Sequence, residues 1–441
     1  MKIRIPCYVD ILIRQLNQHG FEAYLVGGCV RDSLLGQDPK DYDIATSARP
    51  EEVKLAITGC RLLDTGLAHG TVTALSEDNP VEITTFRIDG SYSDHRHPDG
   101  VIFSSTLRED LKRRDFTVNA MAYHPETGLM DYFGGREDLF LGLLRCVGDP
   151  DTRFQEDALR IFRALRFSSQ LGFLIEEQTG RSILKNRALL HQVAAERVSA
   201  ELVKLLCGKN AENVLTFYRE VFAEMIPELV PLFGFNQHSP YHAYDAYIHT
   251  VKAVAAVSPE PVLRLAMLLH DISKPELFSL DKNGRGHFPG HSRAGAEKAG
   301  VILNRLRMSR ETVSTVTALV LHHEEKIAPE PACIKKWMNR LSPKLLRKLL
   351  LVQIADNSAK GPDFPKRKDQ AEKALAISEQ ILAENQCYCL KQLAVNGTDL
   401  VNVGIVNGKK IGEILNILLE KVITESLLNE KAALLEEAKR L

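Results

Sequence analysis

Along the first ~140 residues, apolar positions fall in short runs with strand-like alternation, among them AYLVGG, TVTAL and VEITTF, separated by turn residues. One or two helical stretches lie between them, an α/β pattern. From about Glu156 onward such runs become scarce, and Leu- and Ala-rich positions recur with a helical period to the C-terminus. The pattern predicts an α/β head followed by a long helical body. Pro and Gly clusters punctuate that body at 234–240, 282–290 and 361–365, and a final helical segment over 410–441 follows the turn-like NGTD and VNGKK stretches. There is no internal repeat and no low-complexity tract.

Length and composition narrow the class. At about 150 residues per domain, 441 residues suggest about three domains, and 44% hydrophobic residues are enough to give each a core. The 56 Lys and Arg nearly balance 57 Asp and Glu, which excludes a uniformly basic nucleic-acid coat or an acidic tail protein but leaves local patches open. The longest apolar runs fall well short of the ~18 residues that cross a bilayer, and MKIRIPCYVD lacks an apolar signal core. Eight cysteines are scattered without a CxxC pair, the nearest two being Cys387 and Cys389. They read as reduced thiols of a cytoplasmic protein that has no membrane partner.

The stretch LVGGCVRDSLLGQDPKDYDIAT is the most informative. An apolar run ends at Gly27-Gly28, where missing side chains let backbone N–H groups approach a phosphate. Arg31 follows one helical turn on and can reach the same anion. Asp41 and Asp43 flank Tyr42 in a strand-like segment, so both carboxylates share one face. Such a pair suits Mg²⁺, and two ions there would activate a hydroxyl and neutralise a pyrophosphate leaving group. The plainer reading of the same residues is a β-turn glycine pair beside a surface Asp-x-Asp. Glu82, in VEITTF, is either a third carboxylate at the metals or a solvent-facing strand residue. In DLKRRDFTVNA, Lys112, Arg113 and Arg114 lie beside Asp110 and Asp115. A triphosphate needs several cations, and Asp115 and Asn119 could bond ribose hydroxyls or orient the arginines. Farther on, Glu156-Asp157-x-x-Arg160-x-x-Arg163-x-x-Arg166 is interleaved with Leu159, Ile161, Phe162, Leu165 and Phe167. Spacing puts Asp157 and Arg160 on one helix face, either to read the Watson–Crick edge of a base or as part of a salt-bridged surface helix.

Together, GGCVRD…DYDIAT, RRDFTVNA and EDALRIFRALRF resemble the class II bacterial tRNA nucleotidyltransferases, the CCA-adding enzymes, whose head is shared with bacterial poly(A) polymerases. The resemblance extends over nearly the whole chain. It implies a nucleotidyltransferase-like mixed sheet with helices, then an all-α neck, body and tail. It also implies Mg²⁺-dependent transfer from CTP and ATP to the 3′ end of tRNA. Asp41, Asp43 and Glu82 become the catalytic carboxylates, and Gly28, Arg31, Arg114, Asp115 and Asn119 hold the nucleotide. Asp157 and Arg160 become the protein template that selects the base, with Arg163 and Arg166 supporting it or meeting phosphate. YSDHRHPDGVIF resembles the family's flexible loop, absent from relatives that add only CC, with His97 where the pattern expects arginine. AAERVSAELVKLL resembles a further motif in which Glu196 and Arg197 brace the neck helices.

In the body, His249, His270-Asp271 and Asp356 occupy helical, apolar contexts (YIHTVKAV, LAMLLHDISKP, VQIADN). Their mixed nitrogen and oxygen donors suit a divalent transition metal, and burying His-Asp in such a setting is expensive unless it is ligated. The order H…HD…D resembles the HD phosphohydrolase domain. His291, His322 and His323 could complete a second metal or hold phosphate. The alternative is an HD fold kept as a tRNA-facing scaffold. The expected boundaries are a head over 1–145, a neck over 146–220, an HD domain over 221–365 and a helical tail over 366–441. The rival functions are an A-adding-only enzyme, a poly(A) polymerase, or a metal phosphohydrolase of RNA ends whose head only binds RNA.

Overall fold

The head is organised by a seven-stranded sheet whose strands, in spatial order, are Arg61–Gly66, Thr71–Ser76, Asn79–Thr85, Tyr42–Thr46, Ala23–Val26, Met121–His124 and Gly128–Asp131. The structure, a computed structural model, describes residues 3–67, 70–76, 79–89, 101–104, 106–239, 243–360 and 365–441. Most of the flexible-loop segment, His97 included, lies outside these residues.

Helix α1 (Cys7–Gln18) turns Val9, Leu12, Ile13 and Leu16 inward at helical spacing. Strand β1 (Ala23–Val26) follows, then α2 (Gly28–Leu34), β2 (Tyr42–Thr46) and α3 (Pro50–Ala56). The meander β3 (Arg61–Gly66), β4 (Thr71–Ser76) and β5 (Asn79–Thr85) is antiparallel, and β5 then pairs in parallel with β2. The TVTAL and VEITTF runs are β4 and β5, where alternation sends Val72, Ala74, Val81 and Ile83 to the core. A hairpin of β6 (Arg87–Asp89) and β7 (Val101–Phe103) leads to α4 (Leu107–Lys112). Strands β8 (Met121–His124) and β9 (Gly128–Asp131) complete the sheet edge beside β1, and α5 (Gly135–Leu141) closes the head.

The neck is helical: α6 (Pro150–Glu156), α7 (Leu159–Leu171), α8 (Glu177–Asn186), α9 (Ala195–Leu206), α10 (Ala211–Phe217) and α11 (Arg219–Met225). Helix α7 packs along α9, and Phe162 meets Phe222 of α11 edge to face at 6.0 Å. Head and neck form one compact unit that ends at Pro227.

The second unit, Glu228–Leu441, is almost wholly helical. It contains α12 (Ala246–Ala256), α13 (Pro261–Leu269), α14 (His291–Arg305), α15 (Arg310–His322), α16 (Pro331–Leu341), α17 (Pro343–Ala359) and α18 (Pro365–Ala383). Three more helices, Gly397–Asn402, Gly408–Ile423 and Lys431–Arg440, share a core of Leu400, Leu418 and Leu434. The terminal segment is thus two helices, broken where Glu425 takes a positive φ of 57°. Among the described residues, no helix is long and apolar enough to cross a membrane.

Candidate active site

Strand β1 ends at Gly27, whose φ of 76° is one that side-chain-bearing residues rarely adopt. A Cβ at Gly27 would also lie 2.9 Å from Arg114 Nη1 and 3.9 Å from Asp43 Oδ2. Glycine is therefore required by backbone conformation, and its missing Cβ leaves Arg114 room beside Asp43. Gly28 opens α2 directly behind it. On β2, Asp43 stands opposite Val26 of β1 and opposite Glu82 of β5. Parallel register puts Asp43 and Glu82 on one face, and Asp41 immediately precedes the strand. Glu82 and Asp41 are exposed, whereas Asp43 is half-buried. Burial pushes the Asp43 carboxyl up to about 6, reinforced by the negative charge of Glu82 and then Asp41, against the pull of Arg114. A crowded anionic face with this imbalance fits a bound cation.

Behind it runs a chain of polar contacts. Arg31 donates to Asn119 Oδ1 at 2.6 Å, and Asn119 Nδ2 donates to Asp115 Oδ1 at 3.0 Å. Arg163 donates to Asp115 Oδ2 through Nε at 2.9 Å and Nη2 at 2.6 Å. Burial alone would raise the Asp115 carboxyl, but Arg163 and the Asn119 hydrogen bond hold it down at about 2. Asp115 and Asn119 thus orient arginines, one of the two roles their spacing allowed. Phe167 packs under three guanidinium groups, those of Arg31, Arg163 and Arg166, at 5.0, 5.5 and 3.9 Å from its ring centre.

The template segment departs from its expected form. It is not one continuous helix: α6 stops at Glu156, and Asp157 is extended (φ −138°, ψ 103°) before α7 begins. Asp157 Oδ1 accepts the Leu159 N–H at 3.0 Å and so caps α7, while Oδ2 accepts from Arg197 of α9 at 3.2 Å. Arg160, in the first turn of α7, donates to Glu156 at 2.5 Å and to the Arg113 carbonyl at 3.0 Å. Arg166 pairs with Glu201 of α9 at 2.5 Å. Sequence spacing did not reveal Glu201 or the bond from Arg197 to Asp157; the AAERVSAEL motif was their only signal.

The second unit brings distant residues together at its centre. His249, His270, Asp271, His291, His323 and Asp356 are all buried. Among the described residues, two groups have ligand atoms within 4.8 Å of one another: His249, His270 and Asp271, and Asp271, His291 and His323. Asp356 joins the first group, accepting from His249 Nε2 at 3.0 Å. His270, His291 and His323 each turn Nδ1 to a backbone carbonyl, of Met267, Phe288 and Val320, at 2.7, 2.8 and 2.7 Å. That leaves each Nε2 facing the centre, as a metal-ligating imidazole requires. The oxygens of Asp271 and His291 Nε2 are buried without hydrogen bonds, although Lys274 Nζ lies 2.7 Å from Asp271 Oδ2. Burial opposes ionisation of Asp271, yet His270 and Lys274 hold it well below the usual carboxylate range. Unsatisfied ligand atoms in this arrangement fit a divalent cation, which His249, His270, Asp271 and Asp356 would hold, and Asp271, His291 and His323 could hold another. His322 does not take part; its ring packs on Trp337 at 5.7 Å.

Comparison with known proteins follows the same division. Residues 23–145 match the Poly A polymerase head domain, 172–230 the Probable RNA and SrmB- binding site of polymerase A, and 293–438 the tRNA nucleotidyltransferase domain 2 putative. The CCA-adding enzyme of Ligilactobacillus salivarius is 35% identical over 98% of this chain and 95% of its own length. That of Enterococcus faecalis is 32% identical over 97% and 94%. The Bacillus stearothermophilus CCA-adding enzyme, solved in complex with CTP, superposes with a TM-score of 0.70 at 28% identity, covering 98% of this chain and 96% of that one. A sheet that presents Asp43 beside Glu82, a neck that carries the arginines, and full-length likeness at this level agree: the chain belongs to the family of CCA-adding enzymes.

Proposed function

We propose that this protein completes the 3′ ends of tRNA with C, C and A, taking CTP and ATP and releasing pyrophosphate. The observation that carries the reading is the Asp41, Asp43 and Glu82 face, with Arg114 drawn up to it by Gly27. Asp41 and Asp43 hold magnesium, which supplies acidity to the attacking 3′-hydroxyl and charge to the leaving pyrophosphate. Gly28, Arg31 and Arg114 take the triphosphate, with Arg31 steadied by Asn119. Arg163, locked on Asp115, fixes α7 behind them. Asp157 and Arg160 select the base, with Asp157 aimed by its tether to Arg197. Arg166 braces the neck through Glu201. The reaction belongs in the cytoplasm.

Incubation with tRNA transcripts ending before CCA, after C and after CC tests this directly. Completion of all three with CTP and ATP is expected. Extension of the last alone means an A-adding enzyme, and unlimited ATP incorporation means a poly(A) polymerase. Asp41→Ala removes incorporation; if incorporation survives, the head only binds RNA.

The buried cluster in the second unit supports a second activity, hydrolysis of phosphate esters at RNA ends by a divalent transition metal. His249, His270, Asp271 and Asp356 would hold one ion, and Asp271, His291 and His323 a second. Metal analysis of the purified protein, with His270→Ala and Asp271→Ala as controls, tests it. A wild-type protein that retains no more metal than the variants refutes it.

A further inference from the structure

Asp356 connects the buried cluster to a cavity of about 520 Å³ in the second unit. The floor is formed by buried His323, Gln353 and Asp356, and the rim by exposed residues including Glu324, Glu325 and Arg367. His323 belongs to one ligand group and Asp356 contacts His249 of the other, so the cavity wall carries one residue from each side of the cluster. Its volume suits a single nucleotide.

The two oxygens of Asp356 are divided. Oδ1 faces His249, and Oδ2 lies 2.5 Å from Nζ of Lys360, one turn farther along α17 in the cavity wall. The rim carries Glu324, Glu325 and Glu330, with Lys326 the one cation among them. An RNA strand laid across such a rim would set phosphate after phosphate against carboxylates. A single terminal phosphate placed between Lys360 of the wall and Arg367 of the rim meets cations and leaves the acids to ribose or base donors.

We infer that Lys360 and Arg367 are the phosphate-positioning residues of this cavity and hold the terminal phosphate of one nucleotide over the cluster. The inference rests on the metal reading given above. Lys360 pairs with Asp356 Oδ2 here; with Asp356 held as a ligand, its ammonium would be the group available to an incoming phosphate. Arg367, exposed on the rim, supplies the second cation and blocks nothing when the cavity is empty.

The test uses the full chain, stripped and reloaded with Mn²⁺, with bound metal measured directly. Calorimetric titration with inorganic phosphate, 3′-AMP and an RNA oligomer ending in a 3′-phosphate compares wild type with Lys360→Gln, Arg367→Gln and Arg367→Lys. The head contributes equally to all four. Arg367→Gln is expected to keep its metal and bind inorganic phosphate about tenfold more weakly, with Arg367→Lys restoring most of the loss. Lys360→Gln should weaken phosphate at least as much. Whichever of 3′-AMP and the RNA end binds more tightly identifies the natural source. Unchanged phosphate affinity in both glutamine variants overturns the inference. A wild type that retains no Mn²⁺ overturns the metal reading instead, and the phosphate series then still decides the role of the two cations.

Discussion

Asp43 is held in place against its own preference. Its neighbours Glu82 and Asp41 repel its charge and its position withholds water, so the folded chain binds its proton more tightly than the unfolded chain does. The folded value near 6 lies above the ordinary 3.8, so stability is lost as pH rises from about 4 through about 6 and stays lost above that. A proton affinity so much greater in the folded chain corresponds to up to about 3 kcal/mol. In EDTA, Asp43→Asn should therefore be more stable than wild type by up to about 3 kcal/mol at pH 7.5 and indistinguishable from it near pH 3.8. Urea melts across that range measure the gap, and a less stable variant at pH 7.5 would remove the electrostatic account. The same variant should incorporate no nucleotide, because the ionised carboxylate is what binds the cation. Function and stability pull in opposite directions at this one position.

At the scale of elements, the informative feature is the interruption between α6 and α7. Asp157 caps α7 and is tethered to Arg197, so the template carboxylate is aimed from α9, outside its own segment. Arg197→Met should leave the fold intact and raise misincorporation of UTP and GTP by several-fold, read from products on a tRNA ending before CCA; unaltered selectivity would mean that the tether has no role in base choice. Asp115 is the stronger structural link. Asp115→Ala leaves half-buried Arg163 and Asn119 without their acceptor and should cost about 2 kcal/mol in denaturant unfolding. The limits of the sequence follow from the same contacts. Strands β4 and β5 were legible because period-2 alternation is a local property. The break at Asp157 was not, because it depends on a cap and on an arginine 40 residues away. Nor was the direction of Arg166, which Glu201 of α9 decides. His322 and His323 are equivalent in sequence, and only packing against His270 and Asp271 selects His323 for the cluster.

At the scale of the whole molecule, near-neutral charge conceals two unlike concentrations of ionisable groups. In the first unit, carboxylates on the sheet face Arg114, with Arg31 and Arg163 anchored behind. In the second, four histidines and two aspartates are gathered in the interior and balanced by Lys274 and Lys360. No residue belongs to both sets, and each unit carries its own core, so the two chemistries should separate cleanly. Paired variants are the sharpest test. Asp41→Ala is expected to abolish nucleotide incorporation while leaving the metal content of the second unit at the wild-type level. His270→Ala with Asp271→Ala is expected to lose that metal and any hydrolysis of RNA-end phosphates while CCA addition persists within about twofold. The double change also removes a buried charge from among cationic partners, so its thermal unfolding must be measured alongside, with Asp271→Asn as the milder variant. Loss of CCA addition in a variant that still melts as a folded protein would mean that the second cluster serves the transferase itself. Retention would establish two independent sites on one chain, one that extends tRNA ends and one suited to clearing the phosphates that block extension.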